Sequence, residues 1–458
     1  MQITLRPLLF SGLITILSIA NTARADTLAQ IFDLASKNDP EIRGAEAQLR
    51  ANSQTRTIGR AALLPQISGS ANYQESETSF ASNAEDRETS GKSYSASLSQ
   101  VLFDLPSWYN YKQGDATADQ AEKIYLLAKQ DLIVRTITAY LDVLLAIDSL
   151  ATIQSEEKAV ASQLDQAKQR FDVGLIAVTD VHEAQAAYDD VVARLFLAQG
   201  SVGIAFEGLG VLTGQDHQSI APLLESFPVT NPIPEDSASW VDIALEHSNS
   251  LESARLSRDA ARYNSKSSAL EHLPSLSLGL RYSDSRPDGD GQLNQATGEL
   301  DSADSDTTSI SLTLNVPIFT GGRTSALRRQ AYYQYVQAEE SLNSTQRTII
   351  QSTRSLHLSA VTGVSTVNAR KQAITSSESA LEATQAGYDV GTRNLVELLQ
   401  AERALYSAQL AYYAARYDYI LDMLNLKLSA GTLSTADLEY YDRYMDASGQ
   451  IPRSVLTR

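Results

Sequence analysis

One short stretch occurs twice in the chain, and each copy ends a very long run with a helical pattern. The copies are Arg170-Phe171-Asp172-Val173-Gly174-Leu175 and Gly387-Tyr388-Asp389-Val390-Gly391-Thr392. An aromatic residue, an Asp, a Val and a Gly recur in the same order, about 217 positions apart. Glycine after a helical run is the usual stop, because it enters the left-handed backbone region without a Cβ penalty. Each copy therefore reads as the bend of a long antiparallel helical hairpin. The runs into the bends, Ser107 to Asp172 and Thr324 to Asp389, hold about 66 residues each. At 1.5 Å per residue such a helix is roughly 100 Å long, whereas ordinary helices have about 10–14 residues.

Apolar positions in these runs fall every seven residues. The second run has Ala360, Val367, Ile374, Leu381 and Tyr388, and the first has Val143, Leu150, Glu157, Leu164 and Phe171. That spacing is a coiled-coil signature. The returning helices echo it with Val178, Val181, Tyr188, Val191 and Leu195, and with Leu395, Leu398, Leu405, Ala408 and Tyr412. Ala, Ser and Gln between them allow close helix approach on more than one face.

The repetition is not confined to the bends. Asn38-Asp39-Pro40-Glu41-Ile42 has a loose counterpart in His247-Ser248-Asn249-Ser250-Leu251. Leu63-Leu64-Pro65-Gln66-Ile67 matches His272-Leu273-Pro274-Ser275-Leu276, and Leu98 to Phe103 matches Leu314 to Phe319. The chain is thus a tandem duplication. Residues 26–221 form the first repeat, 222–239 a linker and 240–430 the second repeat. Four prolines (Pro222, Pro228, Pro232, Pro234) break the pattern in the linker.

Each half reads helix, strand, loop, strand, very long helix, bend, helix. Leu276, Leu278, Leu280 and Tyr282 alternate with small or polar residues, as do Ile310, Leu312, Leu314 and Val316. The first half repeats this with Ile67, Gly69, Ala71 and Tyr73, then Tyr94, Ala96 and Leu98. Such alternation suits a barrel with lipid outside and water inside, or the half-buried sheet of a soluble sandwich. Glu75 to Gly91 and Ser283 to Asp306 are acidic, Ser-rich and aperiodic, and read as solvated loops.

Met1 to Ala25 has the form of a secretory signal peptide: Arg6, an apolar stretch from Leu8 to Ala20, and Ala23-Arg24-Ala25. Together with the Ser/Thr/Asn-rich opposite face of the strands, it favours the barrel. Its removal takes away Arg6 and Arg24 and moves the net charge from −18 to −20, which argues against nucleic acid as a partner. With no cysteine, disulfides, thiolate catalysis and an N-terminal lipid anchor on Cys are excluded. No later stretch is expected to be long and apolar enough for a transmembrane helix, so a membrane span is expected as a β-barrel.

Other chemistry finds little support. His182, His217, His247, His272 and His357 lack metal-ligand spacing, and neither a metal site nor a cofactor is expected. Gly208 to Gly214 loosely resembles a phosphate loop but lacks its Lys and follows a helix, so it reads as a helix end. No Ser-His-Asp or paired-acid constellation stands out, and enzymatic activity is not expected.

With strand pairs, long hairpins, the two bend motifs and the closing segment Leu424-Asn425-Leu426-Lys427-Leu428-Ser429-Ala430-Gly431-Thr432-Leu433, nearly all of the mature chain resembles the TolC family of outer-membrane channel-tunnels. The resemblance implies a membrane β-barrel plus an α-helical barrel. Three chains would each give four strands to a twelve-stranded barrel, with the helical tunnel in the periplasm. The linker and residues 431–458 would form an equatorial collar. The implied function is an outer-membrane exit duct for type I secretion or multidrug efflux. Its partners would be a periplasmic adaptor, an inner-membrane ABC or RND-type transporter and outer-membrane lipid. A structural trimeric coiled-coil surface protein or adhesin is the alternative.

The apolar groups at the bends, Val173, Leu175 and Ile176, and Val390 and Leu395, serve either local packing or docking. The resemblance implies that Val173, Gly174 and Leu175, with Val390, Gly391 and Thr392, form grooves for adaptor hairpins. It also implies that Thr179, Asp180, Tyr388 and Arg393 link neighbouring hairpins and hold the entrance shut, as a directional Arg–carboxylate pair can. Arg393 has a second candidate partner in Glu397, four residues on, worth about 0.3–0.5 kcal/mol. Two Asp rings often found in the family's bore correspond here to Glu397 and Gln400, so one charged ring remains and the other is neutral. The mature chain is expected to begin at Asp26. Intact mass of protein taken from outer membranes checks this, and retention of Met1 to Ala25 would remove the argument for export.

Overall fold

A computed structural model of the chain describes residues 26–78, 87–289, 292–293, 300–301, 304–446, 449 and 451–453. The expected signal peptide lies outside the described residues. The elements are α1 (Leu28–Asn38), α2 (Pro40–Ala61), β1 (Gln66–Thr78), β2 (Arg87–Phe103), α3 (Leu105–Asp172), α4 (Val178–Thr213), β3 (Ser219–Ile220), α5 (Ser237–His247), α6 (Asn249–Leu270), β4 (Ser275–Gly289), β5 (Gln292–Leu293), β6 (Leu300–Asp301), β7 (Ser305–Asn315), α7 (Arg323–Asp389), α8 (Leu395–Ser429), α9 (Thr435–Asp442) and β8 (Ile451–Pro452).

The duplication holds helix by helix. α1 and α5 have 11 residues each, α2 and α6 have 22 each, α3 and α7 have 68 and 67, and α4 and α8 have 36 and 35. The same break separates the first two helices of each half. Asp39 caps α2 by accepting from the Glu41 and Ile42 amides, and Ser248 caps α6 by accepting from the Leu251 amide. Pro40, which has no amide hydrogen to satisfy, begins α2.

Four strands form one antiparallel sheet in the order β1-β2-β4-β7. Its register lines up the apolar positions across the sheet: Ile67 faces Leu98, Leu98 faces Leu280, and Leu280 faces Ile310. The opposite face is polar, because successive side chains alternate. There the Ser68 and Ser97 hydroxyls pair at 2.8 Å, as do those of Ser70 and Ser95. The apolar face is uncovered in the single chain, with Ile67, Ile310 and Leu312 between 65% and 78% exposed.

Pairing extends beyond the hydrophobic pattern. β1 and β2 stay paired to Thr78 and Arg87, and β4 runs to Gly289, inside the stretches expected to be loops. Ladder bonds are made by the backbone and need no apolar side chains, so a hairpin can continue into water. Val316 falls just past β7, because Pro317 has no amide hydrogen to continue the ladder.

α3 and α4 form one hairpin and α7 and α8 the other, and they meet through α3 and α8. The seven-residue series supplies the seams: Val143, Leu150 and Leu164 are buried in the first half, and Ala360, Val367 and Tyr388 in the second. Phe171, the last of its series, is instead 41% exposed at the bend. Two helices also correct the hydropathy reading: windows in α3 and α4 are long and apolar enough to cross a membrane, with mean hydropathy 1.5 in each. Their apolar residues serve packing in α3, where 56% of the window is buried. In α4 only 28% of it is buried, and Phe196, Leu197, Ile204 and Val211 face outwards.

The segment between the halves packs with α9 against the middle of the helices. The Tyr140 hydroxyl donates to the Ala221 carbonyl at 2.6 Å and that of Tyr419 to the Thr230 carbonyl at 2.7 Å. Phe227 lies among Tyr419, Tyr441 and Tyr444, and the Arg416 guanidinium donates to the Leu224 carbonyl. Leu312→Arg, on the apolar face of the sheet, is expected to lose about 2–4 kcal/mol at a bilayer midplane and to lower outer-membrane yield. Thr313→Arg, on the polar face, is expected to be tolerated, and equal yields for the two would overturn the facing assignment.

Candidate entrance site at the hairpin tips

Both bends are built by the same hydrogen bonds. After α3, the Leu175 amide donates to the Arg170 carbonyl and the Gly174 amide to that of Phe171, both at 2.8 Å. After α7, the Thr392 amide donates to the Gly387 carbonyl at 2.8 Å and the Gly391 amide to that of Tyr388 at 3.1 Å. This is the Schellman pattern, which needs a left-handed residue after the cap. Gly174 and Gly391 supply it with φ of 76° and 79°.

The turn leaves the neighbouring apolar groups in the open. Val173, Leu175 and Val390 are 70%, 74% and 76% exposed. Leu395 is buried and Ile176 half-buried, in a cluster with Leu164, Ala184, Tyr388 and Leu398. The two candidate roles thus divide: Leu395 and Ile176 pack locally, and the Val-Gly-Leu and Val-Gly-Thr tips project. Thr392 is exposed, and its hydroxyl donates to the Gly387 carbonyl at 3.0 Å.

The four residues expected to hold the entrance shut are not joined within one chain. Thr179 is exposed and Asp180 half-buried in the first turn of α4. Among the described residues, neither side chain bonds Tyr388 or Arg393. Arg393 instead reaches Glu397, with Nη1 2.9 Å from Oε2. Glu397 also accepts from the Asn394 side chain at 3.3 Å. Gln400, the other position expected to line the bore, is exposed one turn further along α8.

Arg170 was not expected here. Its guanidinium lies 4.6 Å above the centre of the Tyr388 ring and 3.7 Å from the Asp389 carboxylate. A cation over an aromatic face is attractive, and this one ties the first bend to the second. In the repeat, Arg170 aligns with Gly387. A Cβ on Gly387 would stand 2.7 Å from the Arg393 Cγ. The absence of a side chain there makes room for Arg393, so the two copies of the motif differ where each places its arginine.

Further in, a polar knot interrupts the apolar seam. Arg194 of α4 grips Glu156 of α3 with two bonds of 2.6 and 2.8 Å. Gln163 of α3 donates to both Gln385 of α7 and Glu402 of α8, each at 3.2 Å. Burial pushes the Glu402 carboxyl above the ordinary carboxylate range, against the opposing effect of the Gln163 bond and with added repulsion from Glu156. The seven-residue spacing held a signal for this group, since Glu402 stands seven residues after Leu395.

Of the histidines, His217 joins Asp26 at 2.8 Å and Thr213 at 2.6 Å. The Thr213 side chain is fully buried, so this line of groups pins Asp26 to the end of α4. That end carries Gly214 with φ of 70°, as the helix-end reading of the glycine-rich stretch requires. Among the described residues no group of three or more His, Asp or Glu could hold a metal ion.

Comparison with known proteins follows the same architecture. The family described as outer membrane efflux protein matches residues 31–215 and 240–432, one range in each half. The chain is 37% identical over 434 residues to the outer membrane protein TolC of Vibrio cholerae, covering 95% of this chain and 97% of that one. It is 30% identical over 416 residues to the alkaline protease secretion protein AprF of Pseudomonas aeruginosa, covering 89% and 85%. The solved Campylobacter jejuni CmeC outer membrane channel superposes with a TM-score of 0.75 at 17% identity, covering 97% of this chain and 98% of that one. With two family matches spanning both repeats, the chain belongs to the outer membrane efflux protein family.

Proposed function

We propose that three copies of this chain form a passive exit duct, with the strands in the outer membrane and the hairpins reaching into the periplasm. The observation that carries this reading is a four-stranded sheet with two open edges and an uncovered apolar face. Unpaired backbone groups are not tolerated in lipid, so the edges of β1 and β7 have to pair. Three such sheets give twelve strands, wide enough for a water-filled lumen. The exposed apolar residues of α4 then meet the neighbouring chain. Residues 222–239 and 431–458 act as the collar around the tunnel. Membership of an efflux family disfavours the adhesin alternative.

The tips receive a periplasmic adaptor, which couples the duct to an inner-membrane transporter of the ABC or RND type. Val173, Leu175 and Val390 provide the apolar contacts, and Gly174 and Gly391 let another backbone approach closely. Relatives named for protease secretion and for efflux both support a duct that does not itself choose its cargo.

Thr179, Asp180, Tyr388 and Arg393 act as the latch between neighbouring hairpins of the trimer. In this role Arg393 exchanges its exposed bond to Glu397 for contacts on the next chain. In the latched state Glu397 is thereby released from Arg393, and its ring in the bore is charged. The test is a Tyr388→Phe, Arg393→Ser double variant in a planar bilayer. Phe keeps the ring beneath Arg170, so the trimer is expected to form. Conductance is expected to rise well above wild type, and cells to become more sensitive to large antibiotics. Unchanged conductance with the trimer intact would show that these residues are not the latch.

A further inference from the structure

Among the described residues, two buried oxygens at the hairpin seam have no hydrogen-bond partner: Oε2 of Glu402 and Oε1 of Gln163. Glu402 is 4% exposed and Gln163 7%. Buried polar groups almost always find partners, and a buried carboxylate without a cation is costly. Among the described residues, the surroundings offer Glu402 no such cation. On α3 it faces Glu156, which Arg194 of α4 already holds, and Arg194 also pairs with Asp190 at 3.2 Å. α7 contributes the neutral Gln385, whose amide also donates to Asp389 at 3.1 Å. On α8 itself Tyr406 donates its hydroxyl to the Ser155 carbonyl at 3.3 Å, and Arg403 points to Asp190 at 3.8 Å.

A proton on Glu402 removes the difficulty. It cancels the buried charge and turns an orphaned acceptor into a donor, beside a second orphaned acceptor on Gln163. The position gives that proton mechanical meaning. Gln163 belongs to the first hairpin, Gln385 and Glu402 to the second, and Glu402 lies one heptad in from the buried tip residue Leu395. The polar knot therefore spans the surfaces that part if the hairpins move relative to each other.

We propose that Glu402 carries a proton while the two hairpins are packed together, and that their separation exposes the group and releases the proton. Opening of the entrance is then favoured as pH rises. The sign follows from linkage. Packed, the group binds its proton more tightly than it does in water. The packed state keeps its full advantage below the ordinary carboxylate range and loses it as pH rises through the higher value of the buried group. This inference rests on the duct reading, and concerns how the same entrance is regulated.

Two measurements on the purified trimer test it: infrared spectroscopy in detergent and conductance in a planar bilayer. At a pH just above the ordinary carboxylate range, wild type is expected to show a carbonyl band of a protonated carboxylic acid that Glu402→Gln lacks. Wild-type conductance is expected to rise with pH by up to about tenfold per unit for each proton released. In Glu402→Gln that rise is expected to disappear, while Gln keeps the shape and the bond to Gln163. Gln163→Leu removes a bond that favours the charged form, so the infrared midpoint is expected to move to higher pH. A Glu402 that titrates in the ordinary carboxylate range, or an unchanged pH response in Glu402→Gln, would overturn the proposal. If wild type and the latch double variant both fail to conduct, the duct reading fails. The infrared band then still decides whether Glu402 holds the proton.

Discussion

The structure hangs on the seam where α3 meets α8. Neither long helix is stable by propensity alone at such a length in water; each depends on an apolar stripe that a partner covers. Val143, Leu150 and Leu164 from one hairpin, and Leu395, Leu398 and Ile420 from the other, are buried along these packing faces. The seam fixes the register of the two hairpins. That register decides how the sheet is carried at one end and which residues meet at the tips.

A seam built only of Leu and Val would slide or splay with little discrimination. Here polar groups are set into the packing: Glu156 with Arg194 inside the first hairpin, and Gln163 with Gln385 and Glu402 between the two. Polar residues at seam positions specify register at some cost in stability. The bidentate Arg194–Glu156 pair is fully matched, whereas the Gln163–Glu402 contact leaves acceptors over. The matched pair holds the packing, and the mismatched one marks where the packing is least secure. Beyond it the two tips are joined by the half-exposed Arg170 over Tyr388, while the exposed Arg393–Glu397 pair stays within the second tip. Exposed ion pairs are worth little. A movable entrance is therefore compatible with a rigid shaft.

The two repeats have diverged where it matters for this end. Both keep the glycine that closes the bend. They differ at the preceding turn, where Arg170 in one half corresponds to Gly387 in the other. One hairpin offers a cation to its neighbour's aromatic ring, and the other opens a space for Arg393. A duplicated chain with identical halves would have no such directionality within the protomer.

What the sequence determined by itself was everything that repeats with a fixed period or depends on a backbone requirement. The heptads marked the hairpins, the alternation at Leu276 to Tyr282 and Ile310 to Leu314 marked the sheet faces, and Gly174 and Gly391 marked the bends. These signals are local, because side-chain direction follows directly from helix or strand geometry. The tertiary structure decided the contacts between residues distant in sequence. Arg170 over Tyr388, Gln163 against Glu402, and Asp26 on His217 each require two elements at one height and rotation, which no periodicity encodes. It also decided that β1 and β2 stay paired past the apolar band, since backbone bonds ignore the pattern that sequence reading relies on. Phe171 shows the limit from the other side: it keeps the heptad spacing, yet the bend leaves it half in solvent, because a period says which face a residue shares and not whether anything covers it.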